Sequence, residues 1–304
     1  MRITGRPDEP VAPRRRGRVG GLFNNLRRPA TPAGPAQREI DWRHYDPVAE
    51  AYARVQAPRT ALVAADLVSL AGLGPGARVL DVGTGTGAVA RAAAEAVGPD
   101  GLVVGVDPAL SMLLSAAADP AGPWYVQAEA LDLPFPNQSF DRVLAAFVIT
   151  HFTRYETALF DMLRVLKPRG RLGVATWGPS HDEFSRAWDE VAHEFAGREM
   201  LADAQRRAMP WSDRFSDRGR LKDALYEAGV RDIVVERREY RFRMTAEDYL
   251  VSREISAAGR FLHQMLGERL WSAFQRRTRE TFAQHFPDTF NDFRDVNLAV
   301  GTKP

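Results

Sequence analysis

Residues 79–88 read VLDVGTGTGA, and no other stretch of the chain limits its fold so strongly. Residues 78–82, with Val79, Leu80 and Val82 apolar and Asp81 among them, read as a short apolar strand. Gly83, Gly85 and Gly87 follow at alternate positions, and GTGTGAVARAAAEAVG opens an alanine-rich helix. Glycine reaches backbone conformations that other residues avoid and lets a ligand approach the main chain, while a helix N-terminus offers unpaired N–H groups. A strand, a glycine turn and a helix in that order begin a βαβ unit, so an α/β fold with a ligand at the turn is expected.

The downstream pattern repeats this rhythm. GLVVGVD, WYVQAE, FDRVLAAFV and RLGVATW read as four further strands. PALSMLLSAAA and Thr153–Leu166 read as helices between them. Strands alternating with helices over about a hundred residues indicate a parallel sheet with right-handed crossovers. Upstream, Trp42, Tyr45, Val48, Ala49 and Tyr52 recur every three or four residues and predict a helix, with a second from about Pro58 to Leu70. After Trp177 the rhythm changes. Helices are expected over Asp182–Ala196 and Asp217–Ala228, with Gly229 as C-cap. VRDIVVERREYRFRM alternates in charge like a half-exposed antiparallel strand, 246–285 is largely helical, and FRDVNLAVGTKP closes the chain as a strand.

Composition narrows the class. The chain has 304 residues and no cysteine, which excludes disulfide frameworks, thiolate metal sites and cysteine nucleophiles. Its six histidines lack metal-ligand spacing, and no metal is expected. The net charge of +2 hides an asymmetry: residues 1–38 hold nine arginines against Asp8 and Glu9, so the remainder is mildly acidic. That argues against a nucleic-acid-binding body. The Pro-, Gly- and Arg-rich 1–38 segment reads as a disordered basic tail. No apolar run approaches a bilayer span, the N-terminus lacks a secretory apolar core, and a cytoplasmic protein without stable membrane insertion is expected.

The glycine turn alone admits several ligands. Gly83, Gly85 and Ala88 satisfy the looser dinucleotide pattern, with Asp107 suitably placed downstream, so a nicotinamide-dependent oxidoreductase is one reading. Asp81 before the loop would repel a pyrophosphate but suits a ligand bearing an amine and a sulfonium. Asp107, at the end of the second strand, can accept both hydroxyls of a ribose.

With EALDLPFPNQSFDRVL and RVLKPRGRL added, the chain resembles the class I S-adenosylmethionine-dependent methyltransferases, in particular the small-molecule group that includes quinone and sterol methyltransferases. The resemblance covers residues 42–177 closely and later elements more loosely. VLDVGTGTG resembles the family's first motif and VVGVDPALSML its second, which puts Asp107 and Pro108 at the ribose. Glu129 stands where the family usually has Asp facing the adenine amino group, and Ala130 would offer its N–H to the ring. Arg169 stands where a glycine is common. The resemblance implies a Rossmann-like doubly wound α/β fold whose seven-stranded sheet is mostly parallel, with the last strand antiparallel and helical cap insertions. Residues 39–304 would form the methyltransferase domain, with 39–75 as an N-terminal helical cap and 178–290 containing substrate-side helical insertions. Tyr45 and Tyr52 would line the site, and Arg59 would meet the methionine carboxylate. Asp81, Gly83, Thr84, Gly85, Gly87 and Phe147 complete the expected cofactor set. Thr84 and Thr86 read equally well as small loop residues.

The implied reaction is in-line transfer of a methyl group from S-adenosylmethionine to an O, N or C atom of a small lipophilic metabolite. It needs alignment and exclusion of water, and no protein nucleophile. A member of the fold that binds the cofactor without methylating is the alternative. His151, after the fourth strand, is the candidate general base. His44 and His181 are further candidates, whereas His193, His263 and His285 read as surface or packing residues. Asp132 reads as a cap and Asp141 as a strand-entry residue. The apolar residues of 246–285, Phe261 and Met265 among them, leave three readings open: a lipophilic pocket, core packing, or a face for a second copy of the chain.

Overall fold

Seven strands form one sheet in the order β3-β2-β1-β4-β5-β7-β6. The strands are β1 (Arg78–Val82), β2 (Leu102–Asp107), β3 (Trp124–Gln127), β4 (Phe140–Ala146), β5 (Leu166–Trp177), β6 (Arg231–Thr245) and β7 (Thr289–Thr302). The computed structural model describes residues 44–118, 122–179 and 182–304; the 1–38 segment, Trp42 and His181 lie outside them. β1 pairs in parallel with β2 and β4, β2 with β3, and β4 with β5. β7 runs antiparallel to both β5 and β6, as expected of the last strand. The expected bounds of β1 hold to the residue, because a parallel strand covered on both faces is a plain apolar run between breakers.

Each strand feeds two cores. Val79 and Val103 face one cluster, while Leu80 and Val104 face the other, as the two-residue period of a strand requires. The first core is covered by α2 (Ala57–Ala71), α3 (Ala88–Val97), α6 (Glu183–Phe195), α10 (Ala246–Glu254) and α11 (Ala257–His285). The second is covered by α5 (Tyr155–Val165), α8 (Ser212–Ser216) and α9 (Arg218–Glu227). A third, small cluster joins α1 (Ala49–Val55) to α4 (Leu110–Ala116) through Ala49, Met112, Tyr45 and Tyr52, and this seats the N-terminal cap beside the glycine turn.

Two segments depart from the sequence reading. Residues 197–216, for which no element is expected, contain α7 (Arg198–Ala208) and α8. α7 buries only Leu201, Ala204 and Ala208, and two alanines among three inward residues give too weak an apolar period to be read. α11 breaks at Gly267, where φ is 65°, and so is two helical pieces.

β5 begins earlier than expected because the Lys167–Gly170 turn pairs with the chain end: Arg169 N–H donates to Lys303 O at 2.8 Å. Arg169 holds φ at 62°, a left-handed conformation costly for a residue with a Cβ, which explains why glycine suits this position. Arg169→Gly is expected to stabilise the protein by about 0.5–1 kcal/mol, the strain relieved being partly offset by the freer unfolded chain. A urea melt should show a higher midpoint at unchanged slope.

Candidate functional site

The glycine turn is bolted to β2. Gly83 and Thr84 both donate N–H to Val106 O, at 2.8 and 2.9 Å. Beneath the turn, Thr84 Oγ1 donates to Asp81 Oδ2 at 2.6 Å. Gly105 makes room for that pair, since a Cβ there would sit 2.6 Å from Thr84 Oγ1. Gly83 (φ 69°) and Gly85 (φ 54°) are left-handed, but they differ in surroundings. A Cβ on Gly83 would strike Val148 at 2.4 Å, whereas one on Gly85 would meet nothing within 4 Å. Gly85 therefore presents bare main chain to open space.

That space is a cavity of about 540 Å³ at the carboxyl ends of the parallel strands, where open α/β sheets hold their ligands. Val82, Gly83 and Gly85 at the end of β1, Val106–Ala109 at the end of β2, Ala128–Ala130 after β3, and Ala146–Val148 at the end of β4 form its floor. The N-terminal cap roofs one side with His44, Tyr45, Asp46, Tyr52 and Gln56. The other side is closed by His151–Thr153, Trp177, the end of α7 (Arg207–Met209), and the α10–α11 corner with Ser252 and Ile255–Ala257.

The two halves differ in chemistry. Asp46, Asp107 and Glu129 all lie on the β2–β3 side. Asp107 is held rigid, accepting N–H bonds from Gly85 (2.9 Å) and Ala109 (2.9 Å), yet burial still raises its pKa. Asp46 accepts from Ser111 N–H at 2.7 Å and so fixes the cap to α4. The other half is aromatic and apolar. Phe147 holds φ at 60°, its N–H donates to Ala175 O at 2.7 Å, and its ring stacks on Trp177 at 4.1 Å. A phenylalanine in that conformation costs energy and persists because its surroundings dictate it, a pattern found at binding sites.

Tyr45 joins the halves. Its ring meets Tyr52 edge-on at 6.0 Å and His151 at 5.8 Å, while the Arg260 guanidinium lies 4.1 Å from its centre. Burial pushes the Tyr52 phenol up to about 12, so it stays a donor at neutral pH. Burial, helped by the charge of Arg260, holds the His151 imidazole down to about 4, against a weaker opposing bond to the Ala208 backbone. Because the folded value lies below the unfolded one, His151 takes up a proton only after unfolding between about pH 6.5 and 4. Its contribution to stability is therefore full above pH 6.5 and is lost as pH falls through that window. NMR titration is expected to show His151 neutral down to about pH 5, with no midpoint near 6.5.

Among the expected residues, Gly83, Gly85, Asp107, Pro108, Glu129, Ala130, Tyr45, Tyr52, Phe147, His151 and His44 line the cavity. Four do not. Asp81 lies buried under the loop, where burial raises its carboxyl to about 7 despite the Thr84 bond, and Thr84 serves it there. Gly87 packs under Tyr125, whose hydroxyl would lie 2.4 Å from a Cβ. Arg59 turns into the core and pairs with Asp292 at 2.5 Å. Asp141 holds Arg78 N–H (2.9 Å) and Lys167 (2.7 Å) at the far end of β4, and Asp132 is exposed. Phe261 and Met265 are absent from the lining: Phe261 packs against the first core and Met265 is exposed, while Leu262, Trp271 and Phe274 are buried in that core. Most of 246–285 is thus packing, and only its first corner reaches the cavity. Sequence reasoning missed Asp46, Gln56, Arg207, Met209, Ser252 and Ile255, for which no local pattern exists.

A family model described as a methyltransferase domain matches residues 80–174. The ubiquinone/menaquinone biosynthesis C-methyltransferase UbiE of Ectopseudomonas mendocina (strain ymp) is 38% identical over 174 residues, which covers 53% of this chain and 68% of that one. Two solved structures share the fold. Phosphoethanolamine N-methyltransferase 2 of Haemonchus contortus, in complex with S-adenosyl-L-methionine, superposes with a TM-score of 0.53 at 19% identity, over 87% of this chain and 60% of that one. A protein of Bacillus halodurans C-125 assigned as a methyltransferase gives 0.51 at 23% identity, over 79% and 98%.

Proposed function

The chain belongs to the class I S-adenosylmethionine-dependent methyltransferases, and from that premise we propose that it methylates a small, apolar, ring-bearing metabolite in the cavity beside Tyr45 and His151. The observation that carries this reading is the division of the cavity. Three carboxylates and the bare main chain of Gly85 suit the polar, cationic donor, while Phe152, Trp177, Met209 and Ile255 suit an apolar acceptor.

When bound, S-adenosylmethionine supplies a methyl group on a sulfonium, an activated leaving group. Asp107 would accept from the ribose hydroxyls with the lone pairs left by Gly85 and Ala109. Glu129 and the Ala130 N–H would hold the adenine edge. Phe147 and Tyr45 would exclude water and hold donor and acceptor in line. His151, neutral at physiological pH, would accept the acceptor's proton on the ring nitrogen not committed to the Ala208 carbonyl.

The relative from Ectopseudomonas mendocina acts in ubiquinone and menaquinone biosynthesis as a C-methyltransferase, so a reduced quinone ring is the first acceptor to test. The experiment combines methyl-labelled S-adenosylmethionine with a naphthoquinol, total RNA and a protein extract in separate reactions. Label in the solvent-extractable product supports the reading. Label confined to RNA or protein overturns it.

A further inference from the structure

The positive charge expected at the methionine carboxylate is spent elsewhere. Arg59 Nη2 binds Asp292 Oδ2 at 2.5 Å, and Asp292 is wholly buried. Asp292 also takes Arg294 Nε at 2.8 Å, and Arg294 pairs with Asp182 at 3.0 Å. Arg59, Asp292, Arg294 and Asp182 alternate in sign, so the charges neutralise one another inside the protein. The Arg59 guanidinium also lies 4.8 Å from the centre of the Phe242 ring.

One donor of Arg59 points the other way: Nη1 donates to Gln56 Oε1 at 3.2 Å. A guanidinium can only donate, so it fixes the carboxamide with its oxygen toward Arg59 and its NH2 group turned from it. Gln56, which caps the end of α1 with its N–H on Tyr52 O, lines the cavity together with Tyr52 one turn earlier and with Gly83 and Gly85 of the glycine turn.

We propose that Gln56 holds the amino-acid end of S-adenosylmethionine by donating from Nε2 to its carboxylate, and that Arg59 and Asp292 are positioning residues acting through Gln56. The proposal rests on the S-adenosylmethionine reading of the cavity. A neutral donor has a physical advantage here. The ligand carries an ammonium and a sulfonium beside its carboxylate, and a full positive charge in the wall would repel both. An amide polarised from behind by a cation binds the carboxylate without that penalty.

Calorimetric titration of the full chain with two probes tests this. S-adenosylhomocysteine carries the amino-acid end; 5′-methylthioadenosine has the same adenosine and thioether without it. Gln56→Leu is expected to raise the Kd of S-adenosylhomocysteine about tenfold or more, the low end of the range for a hydrogen bond to a charged group, and to leave 5′-methylthioadenosine within twofold. Arg59→Lys keeps a cation for Asp292 but loses the fork that also reaches Gln56. It should show the same one-sided loss to a smaller degree. Equal losses for both probes would assign Gln56 a purely structural role, and no loss for either would remove it from the site; each overturns the proposal while leaving the cofactor reading intact. Wild-type protein that binds neither probe overturns the cofactor reading, and the proposal with it.

Discussion

Asp107→Ala is expected to weaken S-adenosylhomocysteine binding by roughly 100-fold or more, which would make it the largest single loss in the cavity. Asp107 ends β2 at the cavity floor and is held by Gly85 and Ala109 through one bond to each oxygen. Two consequences follow from removing it. On the proposed cofactor reading, two ribose hydroxyls lose a charged acceptor, at about 1.5–3 kcal/mol for each such bond. The Gly85 N–H also loses its partner, so the glycine turn is less firmly set for the ligand. Asp107→Asn separates the two, since an amide keeps one acceptor oxygen for the turn but cannot serve both ribose hydroxyls. Calorimetry should rank wild type above Asn above Ala, and a change below fivefold in Asp107→Ala would remove Asp107 from the ribose site.

Asp292→Ala should cost about 3–5 kcal/mol of folding stability. The carboxylate is wholly buried and takes Arg59 from α2 and Arg294 from its own strand, so its loss strands the Arg59 guanidinium at 7% exposure. Measured against a total of about 5–15 kcal/mol for a typical domain, that is a large fraction. Arg59→Met in the same background removes the unpaired charge and should restore part of the loss, because an apolar replacement for both partners can be nearly neutral. Urea denaturation gives both numbers. A cost below 1 kcal/mol for Asp292→Ala would show that the pair is solvated in solution and would weaken the positioning role given to Arg59.

Much of the fold was legible because its signals are local. β1, β2 and β4 are apolar runs between glycines, prolines and charged turns, and their burial on both faces is why the runs are so plain. α7 was illegible because Ala204 and Ala208 form most of its inner face, and alanine hardly distinguishes a buried side from an exposed one. Whether Phe261 and Met265 line a pocket, pack in the core or face a second copy stayed open for a related reason. Helical spacing identifies an apolar face without identifying what covers it, and here the first core does. Arg59 looked available because its partner lies 233 residues away in sequence.

The division follows the physics of the site. Most of the half proposed for the donor was legible in the amino-acid sequence: a glycine turn, an acid one strand later and the loop after the third strand lie within about 50 consecutive residues, whereas Asp46 and Gln56 reach it from the N-terminal cap. The acceptor half was decided only by tertiary structure. Its wall is assembled from Tyr45, His151, Trp177, Met209 and Ile255, which belong to five separate segments. Tyr45 and His151 were legible in the sequence, but Trp177, Met209 and Ile255 carry no recognisable pattern of their own, because what makes the wall a site is the packing that brings those segments around one cavity.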